Sequence, residues 1–471
     1  MASAPASALL ERRLGPFDAA AIIVSNVIGG GILFTPPQVA ARVPDPWWFL
    51  GTWLAGGLLA FAGAMAYAEL AAVRPRAGGE YVYLRAAFGN LLAFLSGWTS
   101  FVAGFAGAIA ASASVLAFYL SRFIPWVGSD AVAVTVPLPL VTLTITPQTM
   151  TALAAIWLMA LVHRRGVGPG RIVSNLLASL KVGALLLFIG LGVAWGTGDV
   201  AHLQPIDHAP IAPTTWLFAL IPVMFTYSGW NAAGYIAEEV RDPGRNVPRA
   251  LALGTLTVIA IYVCLNALYL FVFPVQTLAT LQGSVLDKIA ESLLGAAAGD
   301  IMGVVSIVGL LASISAMTFA GPRVYFAMAR DGLFFASAAR VHPVHKTPAV
   351  AIVAQSIWAT LLVLTGRADS LTTYTGFAVV LFAGLGVMSL FMLRRQEPDA
   401  PRPYRALGYP VAPAVFAVAS TLIVGNALWT DLGRPLLEGR ALGPSAAGLF
   451  VIGMGLPLYW WLARRRAGAS S

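Results

Sequence analysis

The chain predicts an all-α integral membrane fold, one bundle of twelve transmembrane helices of which the first and sixth are discontinuous. Three observations carry this. Of 471 residues, 58% are hydrophobic and only 10% charged, with a mean hydropathy of +0.80. Soluble domains carry about 25% charged residues. The apolar residues fall into long segments, each near the roughly 20 residues that cross a bilayer as a helix. Two of those segments are broken at their centres by small, helix-weakening residues, at Gly29-Gly30-Gly31 and at Ser228-Gly229.

The spans read, in order, as residues 17–41, 46–72, 88–122, 148–163, 171–196, 213–236, 248–274, 296–329, 347–366, 370–394, 408–431 and 444–464. The first follows only Arg12 and Arg13, is too long for a signal peptide and leads into another span, so it reads as a membrane helix. The third and eighth exceed the bilayer thickness and are expected to tilt or project past it. A single domain is expected, with residues 14–196 as a first unit of five spans, 213–394 as a second, and 408–464 adding the last two. Five is odd, so the second unit enters from the opposite side, a LeuT-like 5+5 inverted repeat that places a site between the halves near mid-bilayer.

Charge fixes the orientation. With both termini cytoplasmic, only six of the 29 Lys and Arg fall outside: Arg42, Arg122, Lys288, Arg367, Arg434 and Arg440. Lys181 lies within a span, and the others sit on inward loops and ends, as the positive-inside rule demands. That bias explains the net charge of +9, so no nucleic acid is implied. The longest outward loops are 123–147, which contains Asp130 and no Lys or Arg, and 197–212. The single cysteine, Cys264, lies in the seventh span, which excludes an intrachain disulfide. The five histidines (His163, His202, His208, His342, His345) lie in loops or at span ends. His342 and His345 read as solvated turn residues; neither a metal site nor a cofactor is expected.

The chemistry centres on the two breaks. Each Gly costs about 1 kcal/mol relative to Ala in a helix interior. Backbone groups freed at mid-bilayer are tolerated only where they line a cavity or hold a ligand. Free N–H groups at Gly29, Gly30 and Gly31, beside Ile28 and at the start of a half-helix, suit a carboxylate. The alternative is close helix packing through small residues. In the sixth span, unwound carbonyls at Phe225, Thr226 and Ser228 would face an ammonium group. Ser228 and Gly229 leave room there, and Phe225 can cover the ligand as a thin gate. An amino acid carries both groups on one carbon.

Lys181 lies near mid-bilayer, about 15 Å from the start of its span at 1.5 Å per residue. A central Lys costs about 2.5–3.5 kcal/mol on insertion scales and usually faces the bundle interior. Two roles are open to it: a fixed cation tying the first and eighth spans together, or a titrating group. Ser313, Ser315 and Thr318 offer hydroxyls either to the site or to their own backbone. Glu69 reads as an interface pair with Arg74 or Arg76, and Glu238 and Glu239 as part of an inward latch with nearby arginines. There is no phosphate loop of an ATP-driven pump, no catalytic cluster of an enzyme, and no intramembrane Asp beside the second break for a cationic substrate.

Taken together, Ile28-Gly29-Gly30-Gly31-Ile32 with Thr35-Pro36, the Pro75–Tyr81 loop, Lys181, Phe225–Asn231, Glu238-Glu239 with Pro243, and Arg323 with Ala329–Gly332 resemble the amino acid–polyamine–organocation superfamily and its L-type amino acid transporter branch. The resemblance implies sodium-independent transport of small neutral amino acids by alternating access, with Lys181 standing where sodium-coupled relatives hold a cation. The alternatives are a proton-coupled symporter or antiporter with Lys181 titrating and, remotely, an amino-acid sensor. The family often has Ser where this chain has Gly30, which removes one hydroxyl from the carboxylate site. Animal members dock a glycoprotein through an outward cysteine; with none here, a monomer in the inner membrane without a heavy-chain glycoprotein is expected.

Overall fold

The structure, a computed structural model, describes residues 10–469 apart from 130, 132, 138, 140, 141, 207–209 and 367. Asp130, His208 and Arg367 therefore lie outside the described residues. In chain order the helices are α1 (Pro16–Val27), α2 (Gly30–Phe34), α3 (Pro36–Arg42), α4 (Pro46–Val73), α5 (Glu80–Phe88), α6 (Asn90–Thr99), α7 (Ala106–Ser121), α8 (Pro147–Arg164), α9 (Val167–Trp195), α10 (Pro213–Thr226) and α11 (Ala232–Tyr235). There follow α12 (Pro243–Val272), α13 (Val275–Thr280), α14 (Val285–Leu294), α15 (Ala296–Arg330), α16 (Ala349–Leu364), α17 (Ala368–Gln396), α18 (Val411–Leu428), α19 (Arg434–Glu438), α20 (Pro444–Gly453) and α21 (Gly455–Ala469).

Among the described residues, nine helical stretches are long and apolar enough to cross a membrane. Two shorter apolar helices, α10 and α16, lie among them, as does the 18-residue α8. This is a multi-pass membrane protein. Its helix starts are chemically marked. Pro opens α1, α4, α8, α10 and α12, where its missing N–H has no intrahelical role anyway. Asp45 caps α4 through the N–H groups of Trp47 and Trp48, and Thr146 caps α8 through Thr149.

α15 is the central post, packed against α1, α7, α8, α9, α14 and α16. α4 lies along α12, and α1 wedges between α12, α9 and α15. The third span is bounded by Gly89 at φ +88° and carries a π-helical turn, Ser100–Phe105, between α6 and α7. The loop 123–147 holds a two-stranded antiparallel hairpin, β1 (Val134–Pro137) with β2 (Thr142–Ile145). Between α12 and α15, where the sequence reading has only a connection, α13 rides on α3 and α14 packs on α15.

Candidate functional site

The first break lies between α1 and α2. Ile28 leaves the helix with ψ +91°, and Gly29 follows at φ −134°, ψ −147°. α2 restarts at Gly30, so the N–H groups of its first turn have no intrahelical acceptor. The second break runs from Tyr227 to Asn231, between α10 and α11. Gly229 sits there at φ +100°, a conformation open to glycine alone at little cost. The two breaks meet. A Cβ on Gly31 would stand 3.0–3.1 Å from Thr226, and one on Gly229 would stand 2.8 Å from Asn26 Nδ2. Tyr262 holds them together, its hydroxyl within hydrogen-bond distance of the Val27 carbonyl (2.9 Å) and the Thr226 carbonyl (3.2 Å).

A cavity of about 640 Å³ opens between them. Gly29, Gly30 and Gly31 line one side; Phe225, Thr226, Ser228 and Gly229 line the other. The π-turn of the third span adds Ser100, Gly104 and Phe105, and α15 adds Ser313. The cavity runs from the breaks to Gln38, Arg42 and Asp431 at one face of the bundle. Ile28 does not line it; this residue is buried at 3% exposure with its carbonyl turned away, toward Lys181.

Lys181 stands behind the first break, midway along α9 and 2% exposed. Its ammonium donates to the carbonyls of Ser25 (3.2 Å), Ile28 and Gly309 (3.4 Å). The first two belong to α1 and its frayed end, the third to α15. The same three carbonyls lie 2.9, 3.1 and 3.2 Å from Ser313 Oγ. Ser313 has one hydrogen to give and Lys181 has three, so Lys181 satisfies most of what the break exposes. Ser313 Oγ thus lies within reach of its own helix at Gly309 and of the two carbonyls at the first break.

The second break differs from expectation in detail. The Phe225 carbonyl already accepts from Ser228 N (2.9 Å) and that of Thr226 from Tyr262. Of the three carbonyls named in the sequence, the Ser228 carbonyl is the one for which no hydrogen bond is recorded among the described residues. Thr226 Oγ1 is engaged with Pro222 O (2.8 Å) and Thr35 Oγ1 (3.0 Å).

The face opposite Arg42 is closed by ion pairs. Arg323 makes a two-pronged contact with Glu239 (2.7 and 3.0 Å), and Arg330 with Glu238 (2.8 and 3.1 Å). These bind α15 to the end of the interrupted helix, so the arginine partners expected for Glu238 and Glu239 are Arg330 and Arg323. Glu238 also accepts from Ala77 N (3.0 Å). Glu69 is a correction: its partners are Arg394 (2.5 Å) and Arg402 (3.2 Å), not Arg74 or Arg76. Those two turn instead to Glu397 and Asp331, because α17 and the chain beyond it cover the end of α4. Outside the membrane, the Arg74 guanidinium holds the Glu397 carboxyl below its usual range.

Sequence reasoning missed three things. His163, read as a span-end residue, is buried, with Nε2 2.8 Å from Ser315 Oγ. Ser315 also lies 3.1 Å from Ser174, so it serves a buried polar cluster away from the cavity. Glu80 reaches the cavity from α5, although nothing local marks it. Asn231, quoted only as part of a motif, bonds Glu80 (3.1 Å) and Tyr235 (2.9 Å). No cluster of three or more metal-ligating side chains occurs among the described residues. The His342 and His345 rings stack at 4.6 Å.

Two interrupted helices facing one another across a polar cavity, in a bundle of membrane-length helices, define a secondary transporter. The family described as "Amino acid permease" matches residues 14–437, and the chain belongs to it. Within the amino acid–polyamine–organocation superfamily it is an L-type branch transporter. It is 27% identical to the serine/threonine exchanger SteT of Bacillus subtilis, over 97% of this chain and 98% of that one. It is 29% identical to the human large neutral amino acids transporter small subunit 2, over 96% of this chain and 81% of that one. It is 26% identical to the branched-chain amino acid permease BcaP of Bacillus subtilis, over 91% and 90%. These relatives are transporters and exchangers, not enzymes.

Proposed function

We propose that this protein is a sodium-independent exchanger of small neutral L-amino acids, with twelve spans in a 5+5 inverted repeat. It works as a monomer in the inner membrane, without a heavy-chain glycoprotein, and its termini are cytoplasmic. α8, α10 and α16 supply the three spans beyond the nine long apolar stretches. The observation that carries the reading is the facing pair of breaks. The first turn of α2 offers N–H groups to a carboxylate. Across the cavity, the Ser228 carbonyl and the C-terminal end of α10 offer an acceptor and partial negative charge to the ammonium. Gly30 opens onto the cavity, Gly29 and Gly31 set its width, Phe225 covers the ligand, and Gly229 allows the turn. Lys181 replaces a bound sodium ion by holding the α1 and α15 carbonyls as a fixed cation, supported by Ser313. The small-substrate preference draws support from the resemblance to a serine/threonine exchanger.

The test is uptake of labelled alanine by proteoliposomes in sodium-free buffer, preloaded with unlabelled alanine or empty. Exchange predicts uptake only in the preloaded vesicles. Uptake into empty vesicles would replace the exchanger with a uniporter or a proton-coupled carrier. Dependence on added sodium would remove Lys181 from the role of substitute cation.

A further inference from the structure

Four glutamates are buried, and three of them face arginine: Glu69, Glu238 and Glu239. The fourth, Glu80, is 7% exposed, and among the described residues no Lys, Arg or His lies within 4 Å of its carboxylate. Its surroundings are neutral donors. Tyr67 OH of α4 lies 3.2 Å from Oε2 and Asn231 Nδ2 of the second break 3.1 Å from it. Tyr235 faces it from α11, Ser96 from α6 and Tyr83 from its own helix. The hydroxyl of Tyr83 is buried without a hydrogen bond. Glu80 also lines the substrate cavity, so water reaches it. A buried carboxylate without a cation is costly, and the usual resolution is to take up a proton.

Its position ties that proton to motion. Residues 77–80 are fastened to the interrupted helix at three points: Ala77 N to Glu238 (3.0 Å), Gly78 N to the Tyr235 carbonyl (3.0 Å), and Glu80 to Asn231. We propose that Glu80 is a proton-binding site, loaded from the cavity, whose occupancy governs opening of the arginine-rich end of the transporter. Ionised, Glu80 accepts charge-assisted hydrogen bonds from Asn231 and Tyr67 and holds that end shut. A proton from cavity water adds to the carboxylate oxygen, weakens both bonds and frees the Asn231–Tyr235 segment. Loss of that proton back to the cavity water restores both bonds and shuts the end again. The inference rests on the transporter reading for its functional consequence, but not for the titration itself.

The titration is read without substrate. Infrared difference spectra of the purified protein, taken across neutral pH, are expected to show a protonated carboxyl band in the wild type that is missing from Glu80→Gln. No such difference at any pH would mean that Glu80 stays ionised, and would overturn the proposal. The consequence is read as alanine exchange against cavity-side pH. Wild type is expected to speed up several-fold toward acid, Lys181→Met to keep that dependence, and Glu80→Gln to exchange at the acid rate throughout. Glu80→Asp, which keeps a carboxyl, should retain a displaced pH profile and covers the case in which the Gln variant misfolds. A pH dependence identical in wild type and Glu80→Gln would also overturn it. If alanine is neither bound nor moved while the infrared band is present, the substrate reading fails and the proton site stands.

Discussion

Gly30 and Gly31 are neighbours in sequence and opposites in surroundings. A Cβ on Gly30 meets nothing nearer than Leu310 Cδ2 at 4.0 Å, whereas one on Gly31 meets Thr226, including its Cα at 3.1 Å. Gly30→Ala is therefore expected to change stability by no more than about 0.5 kcal/mol, and Gly31→Ala to cost about 1–3 kcal/mol by overpacking. Thermal unfolding in detergent separates the two; equal losses would mean that Gly30 does not face the cavity. Gly30→Leu should fold yet lose alanine binding, and unchanged transport by that variant would remove the carboxylate site from this break. For Lys181, replacement by Met leaves Ser313 with one hydrogen for three carbonyls. Buried acceptors left empty cost about 1–3 kcal/mol, so Lys181→Met should lower both the melting temperature and the exchange rate. Wild-type kinetics in that variant would take Lys181 out of the mechanism. The break itself was readable in the sequence because three consecutive glycines exceed what close helix packing requires. Which glycine leaves room for a side chain was not, since that depends on α10, far along the chain. Glu80 and His163 were unreadable for the same reason: a lone Glu after two glycines and a His in a last helical turn look like surface residues until their neighbours are placed.

At the scale of elements, long apolar helices announce themselves and short amphipathic ones do not. α14 lacks the continuous apolar run of a span, so the sequence showed only a connection. The hairpin's only mark in the sequence is a short alternation of Val, Thr and Leu inside the loop 123–147. α14 has a measurable property. Arg122, at the end of α7, reaches Asp287 on α14 (3.7 Å) and Asp300 on α15 (2.6 Å). Burial raises the Asp287 carboxyl from 3.8 to about 6, against the pull of Ser284 and Arg122. The folded protein thus holds this proton more tightly than the unfolded chain does. Its stabilising contribution is complete below the unfolded value of 3.8 and is lost as pH rises through about 6. Asp287→Asn cannot titrate, so its melting temperature should fall less than that of wild type over this interval. Parallel melting curves would show that Asp287 titrates normally. At the opposite face, Arg323 is wholly buried against Glu239. Arg323→Met strands a charge and should cost about 3–5 kcal/mol, with part recovered in the Arg323→Met, Glu239→Gln double variant. A double variant no more stable than the single one would mean that the loss came from packing against Phe319, whose ring lies 3.8 Å from the guanidinium.

For the whole molecule, the two faces of the bundle differ in both charge and closure. Arg74, Arg76, Arg164, Arg165 and Arg241 collect at the face that the Arg323 and Arg330 pairs hold shut, while the cavity extends toward Gln38, Arg42 and Asp431 at the other. In the proposed orientation, with positive charge marking the cytoplasmic side, the cavity extends toward the outer face. The orientation can be read chemically because the chain has one cysteine. Cys264, exposed on the lipid-facing surface of α12, can be replaced by Ser at little cost. In that background Thr135→Cys places a thiol on the exposed hairpin, and Asp399→Cys places one on the exposed turn after α17. A membrane-impermeant maleimide should modify the first in intact cells and the second only after permeabilisation. The reverse pattern would invert the protein in the membrane, and with it the side from which the cavity, and Glu80 at its closed end, are reached. Modification of both in intact cells would place them on one side, which contradicts an odd number of spans between them.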